Sequence, residues 1–257
     1  MNRTKSFYHF PFLLCLILIG FGCRSSSDLV IDTESLDRAD ITATELTELI
    51  PDYRNELMTI SGSGRAIVSE PGNSERVSLQ FQANRLESLI RVRNSAGIEG
   101  GQIYVDSDSL MVYNRLDKTA EKIPLLQGNL TSVGSLASVN VIDLLNFTID
   151  PADIDEIYND DPTYVVLLNN RTLIRVSKGS GTIISVVHAN DNRAAPYSRV
   201  EYEGYAIIEQ LHLPRKVSIY SKDGNSRATL LVQRLEINPL LPPLGINLPD
   251  DVIIQRL

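Results

Sequence analysis

Apolar and polar side chains alternate with a period of two along most of the chain, and this pattern constrains the fold more than any other. Val77, Leu79, Phe81 and Ala83 alternate with serine and glutamine, which predicts a half-buried β-strand. Similar segments recur at short intervals, at residues 57–68, 86–92, 98–105, 110–116, 121–126, 164–168, 172–177, 182–188, 200–208, 216–220 and 228–237. Short strands joined by tight turns predict an antiparallel meander.

Glycine interrupts the first of these segments, where the sequence reads Ser61-Gly62-Ser63-Gly64. A glycine inside a strand marks a bend or a place where another group approaches the backbone closely. We therefore expect this strand to bend, or to pass close to a neighbour, at these residues.

Helical spacing replaces the alternation in a few places. Residues 41–53 and 139–149 each carry apolar side chains three and four positions apart, as on one face of a helix. Asp150-Pro151 has the character of a helix start and predicts a further helical turn through Tyr158. A sheet of this many strands must curl to bury one face, so we expect the 139–149 helix to lie in its concavity.

The N-terminal residues have the order of a bacterial lipoprotein signal. Arg3 and Lys5 precede an uncharged apolar run of about 11 residues, which is too short for a membrane-spanning helix of roughly 20. Cys23 follows this run, and we predict that residues 1–22 are removed and that Cys23 is acylated. The alternative is an ordinary signal peptide beside an incidental cysteine. Cys15 lies inside the apolar run and leaves with it.

The mature chain is interpreted as a single domain. Residues 23–36 are polar and low in aromatic side chains, which is typical of a flexible tether. No linker divides the rest, so residues 37–257 are predicted to form one domain that is mainly β with a few helices. No disulfide is available inside this domain, so its stability depends on packing.

The charge of the chain argues against several partners. Loss of Arg3 and Lys5 with the signal changes the formal net charge from −8 to −10. An acidic chain without a lysine or arginine tract suits neither nucleic acid nor anionic lipid headgroups, since both require clustered cations. Membrane attachment is therefore assigned to the acyl chains on Cys23, because each buried methylene contributes about 0.8 kcal/mol. The oligomeric state stays open.

Few residues carry catalytic or metal-binding chemistry. After the signal there are two histidines, His188 and His212, and no cysteine other than Cys23, which argues against a zinc site. Dinucleotide loops, phosphate loops and nucleophile elbows are missing from the sequence. The acids of residues 150–161 fit helix-start acids and a turn better than a calcium loop, which needs a central glycine. We expect no catalytic residue, no metal, no cofactor and no enzymatic activity.

Three further segments carry a family resemblance. They are Gly97-Ile98-Glu99 with Asp108-Ser109 and Asn114-Arg115, then Leu213-Pro214-Arg215-Lys216-Val217, and last Gly245-Ile246-Asn247-Leu248-Pro249. These segments resemble a family of bacterial lipoproteins of unknown function with a LolA/LolB-like fold. The resemblance implies a strongly curved, half-open antiparallel barrel with helices covering its concave face. Glu99 is expected to form a structural pair with Arg115 or Arg91.

The resemblance implies binding and not catalysis. Carriers of this fold hold the acyl chains of lipoproteins or other lipids in an apolar concavity, and the membrane-anchored form accepts cargo at the outer membrane. Alternating aliphatic residues of this chain would line such a concavity, together with the 139–149 helix. The expected ligand-binding residues are Leu79, Phe81, Ile90, Val92, Ile103, Val105, Leu110, Val112, Ile142 and Leu145.

Two interpretations of function lead. In the first, the protein is an envelope lipoprotein, anchored at the outer membrane and facing the periplasm, that binds a lipid or lipoprotein acyl chain in trafficking. In the second, it is a structural or assembly lipoprotein whose concavity is filled by its own side chains, as alternating aliphatic residues usually are. A third interpretation, an enzyme, is the weakest. Whether the concavity is empty separates the first two.

Overall fold

The structure, a computed structural model, describes residues 33–125, 138–189, 192, 195 and 197–256. The predicted signal peptide, Cys23 and most of the predicted tether lie outside the described residues. Ser35–Leu257 makes up one compact unit. In the ranges that the structure describes, no helix has the length and apolar character needed to cross a membrane.

Strands dominate the described part of the chain. They are β1 Thr59–Glu70, β2 Asn73–Asn84, β3 Ser88–Arg93, β4 Glu99–Val105, β5 Ser109–Asn114, β6 Thr119–Pro124, β7 Ile154–Asp160, β8 Thr163–Leu168, β9 Leu173–Ser177, β10 Ile183–Val187, β11 Arg199–Glu203, β12 Ala206–Ile208, β13 Leu211–Leu213, β14 Lys216–Tyr220, β15 Arg227–Ile237 and β16 Ile253–Arg256. The helices are α1 Ala43–Leu49 and α2 Val141–Leu145, with 3-10 turns at Thr33–Ser35 and Pro151–Asp153.

One large sheet holds 14 of these strands, in the order β16-β6-β5-β4-β3-β2-β1-β15-β14-β11-β10-β9-β8-β7. Neighbouring strands are antiparallel, except that β16 runs parallel to β6. The terminal strands β16 and β7 do not pair with each other, so this long sheet curves without closing. β12 and β13 form a separate hairpin. The prediction of a mainly β chain with a large, curved antiparallel sheet is confirmed.

The main core forms on one face of the sheet, here called the inner face, which carries Phe81. Residues paired across antiparallel strands share a face, so the register also assigns Ile60, Val217 and Val232 to it. Side chains from α1 and α2 join the same buried cluster. A smaller cluster on the same face is formed by Val105, Leu110 and Ile123.

Helix α1 begins at a capping box and turns one residue into the core. The Thr42 hydroxyl accepts from the Glu45 backbone N–H, and the Glu45 carboxylate accepts from the Thr42 backbone N–H at 2.9 Å. Leu46 is fully buried, whereas Leu49 is 46 % exposed. The predicted helix 41–53 is therefore present in shortened form, and its apolar residue joins the core before β1 begins.

The prediction of a helical turn through Tyr158 is wrong. The Asp150 side chain accepts from the Ala152 backbone N–H and caps the single 3-10 turn, after which the chain runs as β7. β7 pairs with β8 along its length, and Ile157 and Tyr158, which point to opposite faces, are both buried. This pairing and burial outweigh the preference of the local acids for a helix start.

Other differences are smaller. The predicted strand 200–208 is divided into β11 and β12 at Gly204, whose φ of 64° a strand does not permit. Helix α2 is shorter than residues 139–149, although Ile149 beyond it is still buried. The sequence pattern predicted neither β13 nor β16.

The segment between β15 and β16 joins two distant positions in the sheet. β15 lies beside β1 and β16 beside β6, so residues 239–252 connect two strands that β1–β6 separate. Leu89, Tyr113 and Ala120 lie on the face opposite Phe81, the outer face, and none is more than 5 % exposed. In the same segment, the apolar residues Leu244 and Ile246 are half-buried.

We expect Leu46→Ala to lower the free energy of unfolding by about 2–5 kcal/mol, because it leaves a cavity in the main core. Leu49→Ala on the same helix, at a largely exposed position, is the matched control and should change it by less than about 0.5 kcal/mol. Urea denaturation followed by circular dichroism measures both. Equal losses would show that α1 does not pack through Leu46.

Candidate functional site

The predicted ligand-binding residues of the strands lie on one face, in three rows across β1–β6. The first row is Ile60, Ala83, Ser88, Val105, Leu110 and Ile123. The second row is Gly62, Phe81, Ile90, Ile103, Val112 and Glu121. The third row is Gly64, Leu79, Val92, Gly101, Asn114 and Thr119. All eight predicted strand residues therefore belong to the inner face.

The first row is more deeply buried than the other two. No side chain of the first row is more than 3 % exposed. In the other rows, five apolar residues are only half-buried, and we call them the apolar wall. They are Leu79, Ile90, Val92, Ile103 and Val112. The inner face of β2–β5 is therefore packed at one end and partly open to solvent at the other.

Phe81 stands apart from the other second-row residues because it is 1 % exposed. Its ring lies against Gly62: a Cβ atom on that glycine would stand 2.4 Å from Phe81 Cζ and 2.7 Å from the Arg234 carbonyl oxygen. A Cβ on Gly64 would stand 2.4 Å from the Leu231 carbonyl oxygen. The predicted close approach at this glycine stretch is confirmed. Phe81 is a core residue that closes one side of the apolar wall.

The predicted residues of α2, Ile142 and Leu145, are 0 % and 2 % exposed and belong to the same buried cluster as Phe81. Asn140 fixes this helix to the sheet: its side-chain oxygen accepts from the Ile142 backbone N–H, and its side-chain amide donates to the Asn84 carbonyl, each at 2.9 Å. A charge at Leu145 would therefore disrupt the core as well as any ligand contact.

Polar groups flank the apolar wall. Glu121 follows Val112 in the second row and is half-buried. The alternation of Thr119, Glu121 and Ile123 in the sequence already indicates that these three side chains share a face. The Ser88 hydroxyl is buried in the first row and has no hydrogen-bond partner among the residues that the structure describes. On the outer face, Glu99 pairs with the guanidinium of Arg115 at 3.4 Å, which confirms one of the two expected pairings.

The two histidines contact residues outside the apolar wall. His188 Nδ1 is 3.0 Å from the Thr172 hydroxyl, and burial lowers the pKa of the His188 ring to about 4. The backbone N–H of His212 donates to the Tyr53 hydroxyl at 2.8 Å. Among the residues described, no group of three or more His, Cys, Asp or Glu side chains is arranged to hold a metal ion.

The sheet and the helices described above have a LolA/LolB-like fold, and solved structures share it. The chain is similar to a DUF1329 family protein from Desulfovibrio piger, with 12 % identity over 78 % of this chain and 92 % of that one and a TM-score of 0.52. It is also similar to an outer membrane lipoprotein-sorting protein domain from Vibrio parahaemolyticus, with 10 % identity, the same coverages and a TM-score of 0.52.

A third similar structure is a LolA superfamily protein from Nitrosomonas europaea, with 11 % identity, 78 % of this chain and 96 % of that one covered, and a TM-score of 0.52. The expected LolA/LolB-like fold is thus confirmed. No protein-family model matches the sequence, and neither does any curated protein. At these identities the similarity concerns the fold alone.

We expect Phe81→Ala to lower the free energy of unfolding by about 3–5 kcal/mol, because the ring is buried against Gly62. Ile103→Ala, in the same row but only partly buried, should cost less than half as much. Urea denaturation of both variants decides the comparison. A small loss for Phe81→Ala would mean that empty space lies beside the ring and that the wall extends to it.

Proposed function

We propose that this protein is an envelope-anchored lipoprotein that binds the acyl chain of a lipid or lipoprotein on the apolar wall. The observation that supports this most is the incomplete burial of five neighbouring aliphatic side chains on the inner face of a curved sheet. A group of neighbouring aliphatic side chains that stays partly accessible to solvent is a feature of ligand or partner sites.

The arrangement suits a chain-like apolar ligand. Val92 and Leu79 lie in the third row, and Ile90, Ile103 and Val112 lie in the second, so the wall is a strip across β2–β5. Strand spacings of about 4.8 Å make this strip about 15 Å wide. An acyl chain laid along it would cover the exposed methyl groups.

In this proposal α2 forms part of the cover of the concave face. It packs against β2 beside Phe81, which is the strand where the wall begins. The ligand would then lie between the α2 side of the sheet and the smaller cluster of Val105, Leu110 and Ile123. In this proposal the buried residues of the main core and of the smaller cluster support the site but do not contact the ligand. The residues of the apolar wall contact it instead.

The alternative is a structural lipoprotein that binds no ligand. The complete burial of the first row and of Phe81 favours it for that part of the inner face. The two proposals differ only at the apolar wall, where the alternative requires a protein partner or solvent to face the half-exposed residues. Enzymatic activity is not part of either proposal.

A charge in the wall tests the binding proposal. Ile103→Glu should reduce uptake of a fluorescent fatty acid at least tenfold, because a carboxylate would have to be buried against the acyl chain. Met111→Glu is the matched control, since Met111 lies on β5 and is half-buried on the outer face opposite Lys122. A protein spanning residues 24–257, which keeps the whole compact unit, serves for the assay.

Both variants must first show cooperative thermal unfolding. If Ile103→Glu does not fold, Ile103→Trp replaces it, because a larger side chain narrows the same strip without adding a charge. Uptake by the unchanged protein that neither Ile103 variant weakens would contradict the assignment of the wall. A complete lack of uptake by the unchanged protein would favour the structural alternative.

The anchor has its own test. Cys23→Ala should leave the protein unprocessed or release it from the membrane, because Cys23 is the proposed acyl acceptor. Cys15→Ala lies inside the apolar run and should be processed normally. Fractionation of cells, with and without an inhibitor of lipoprotein signal peptidase, separates the two. Normal maturation and membrane association of Cys23→Ala would overturn the lipoprotein assignment.

A further inference from the structure

Five arginines that are scattered in the sequence come together on the outer face of β15, β1, β2 and β3. Arg65 and Arg93 stand in one row, both opposite Ser78 of β2. Arg76 lies one row further along β2, opposite Ile67. The set, which we call the arginine face, is Arg65, Arg76, Arg91, Arg93 and Arg234.

The row next to Arg65 completes the set. Arg234 pairs with Ser63, which pairs with Gln80, which pairs with Arg91. Adjacent members of the arginine face are thus separated by one or two strands or by two residues along a strand. Strand geometry puts their Cα atoms about 7–10 Å apart. Serine and glutamine side chains, which can also donate hydrogen bonds, fill the positions between them.

The arginine face carries uncompensated positive charge in the part of the chain that the structure describes. Within the described ranges, none of the five has a carboxylate at ion-pair distance. Arg91 donates to the neutral side-chain oxygen of Gln82 at 3.2 Å. Arg65, Arg76 and Arg234 are exposed, and the other two are half-buried. All five therefore remain charged groups that face solvent at least in part.

Acids are sparse on this face. Glu236 lies two residues from Arg234 on β15, opposite Ser61. Glu99, which neighbours Arg93 on β4, is held by Arg115. Five unpaired arginines repel one another, and this local positive field forms in a chain of net charge −8. An anionic partner would relieve the repulsion.

We propose that the arginine face docks on the anionic phospholipid headgroups of the membrane. Guanidinium groups bind phosphate through paired, planar hydrogen bonds, and Arg side chains that share one face of a sheet can reach a planar layer of phosphates together. This site is distinct from the apolar wall, which lies on the inner face. It revises the expectation, based on the lack of a basic tract in the sequence, that headgroup docking is disfavoured.

The proposed anchor holds the domain beside a bilayer, whose phosphates are then the nearest anions. With Cys23 acylated, residues 23–36 can extend at most about 50 Å, so the domain stays at high effective concentration near headgroups. The docking proposal itself does not require the acyl-binding function. If the arginine face docks and the wall binds no acyl chain, only the proposed function fails.

Vesicle sedimentation tests the arginine face with the protein spanning residues 24–257. We expect binding to vesicles of phosphatidylcholine mixed with phosphatidylglycerol at about 0.1 M salt, and loss of that binding at about 1 M salt. The triple variant Arg65→Gln, Arg76→Gln, Arg93→Gln should bind on the order of a hundredfold more weakly, since each cation near an anionic surface raises affinity about fivefold.

The control triple variant is Arg38→Gln, Arg54→Gln, Lys118→Gln, which changes the net charge equally at cations elsewhere on the surface. It should bind the anionic vesicles as the unchanged protein does. Fatty-acid uptake by the arginine variant should be unchanged. The proposal is overturned by equal binding of both triple variants, by equal binding to pure phosphatidylcholine, or by retention on a soluble polyanion without vesicle binding.

Discussion

The pairing of β1 with β2 on one side and with β15 on the other is the interaction on which the rest of the structure depends. β1 and β2 pair along 12 positions, and β1 and β15 along ten, with one register shift between Ser63 and Gly64. This central ladder joins the half of the sheet that carries the main core to the half that carries the apolar wall. Gly62 makes room in it for the ring of Phe81.

The same ladder determines what each face presents. Because side chains alternate along a strand, one register sends Leu79 to the inner face and Arg76 to the outer face. A slip by one residue would put the arginines into the core. The apolar wall and the arginine face are therefore two consequences of one set of hydrogen bonds, and the deep burial of Ile60, Phe81 and Ala83 fixes that register.

The local alternation of apolar and polar residues made most of the sheet predictable. It was sufficient to place the strands that became β2–β6, and to put Leu79, Phe81, Ile90 and Ile103 on one face, because a strand's period of two is a local property. It could not show which of those residues are covered. Phe81 and Ile103 have equivalent positions in the alternating pattern and lie in the same row of the sheet. Of these two residues, Phe81 belongs to the main core.

Features that arise from long-range pairing were not predictable in this way. β7 has the acids of a helix start, and only its pairing with β8 makes it a strand. β16 is four residues long and pairs in parallel with a strand more than a hundred residues earlier. The arginine face needs the registers of four strands, and Arg234 joins it from a distant part of the chain. The sequence therefore has no basic tract, although the folded chain has a basic surface in the arginine face.

Native mass spectrometry of the protein purified from its own envelope shows whether the apolar wall holds an acyl chain. We expect a non-covalent adduct with the mass of one acyl-bearing molecule, present in the unchanged protein and in Met111→Glu and lost in Ile103→Glu. The bare protein mass in all three, under conditions that preserve non-covalent complexes, would contradict the proposal.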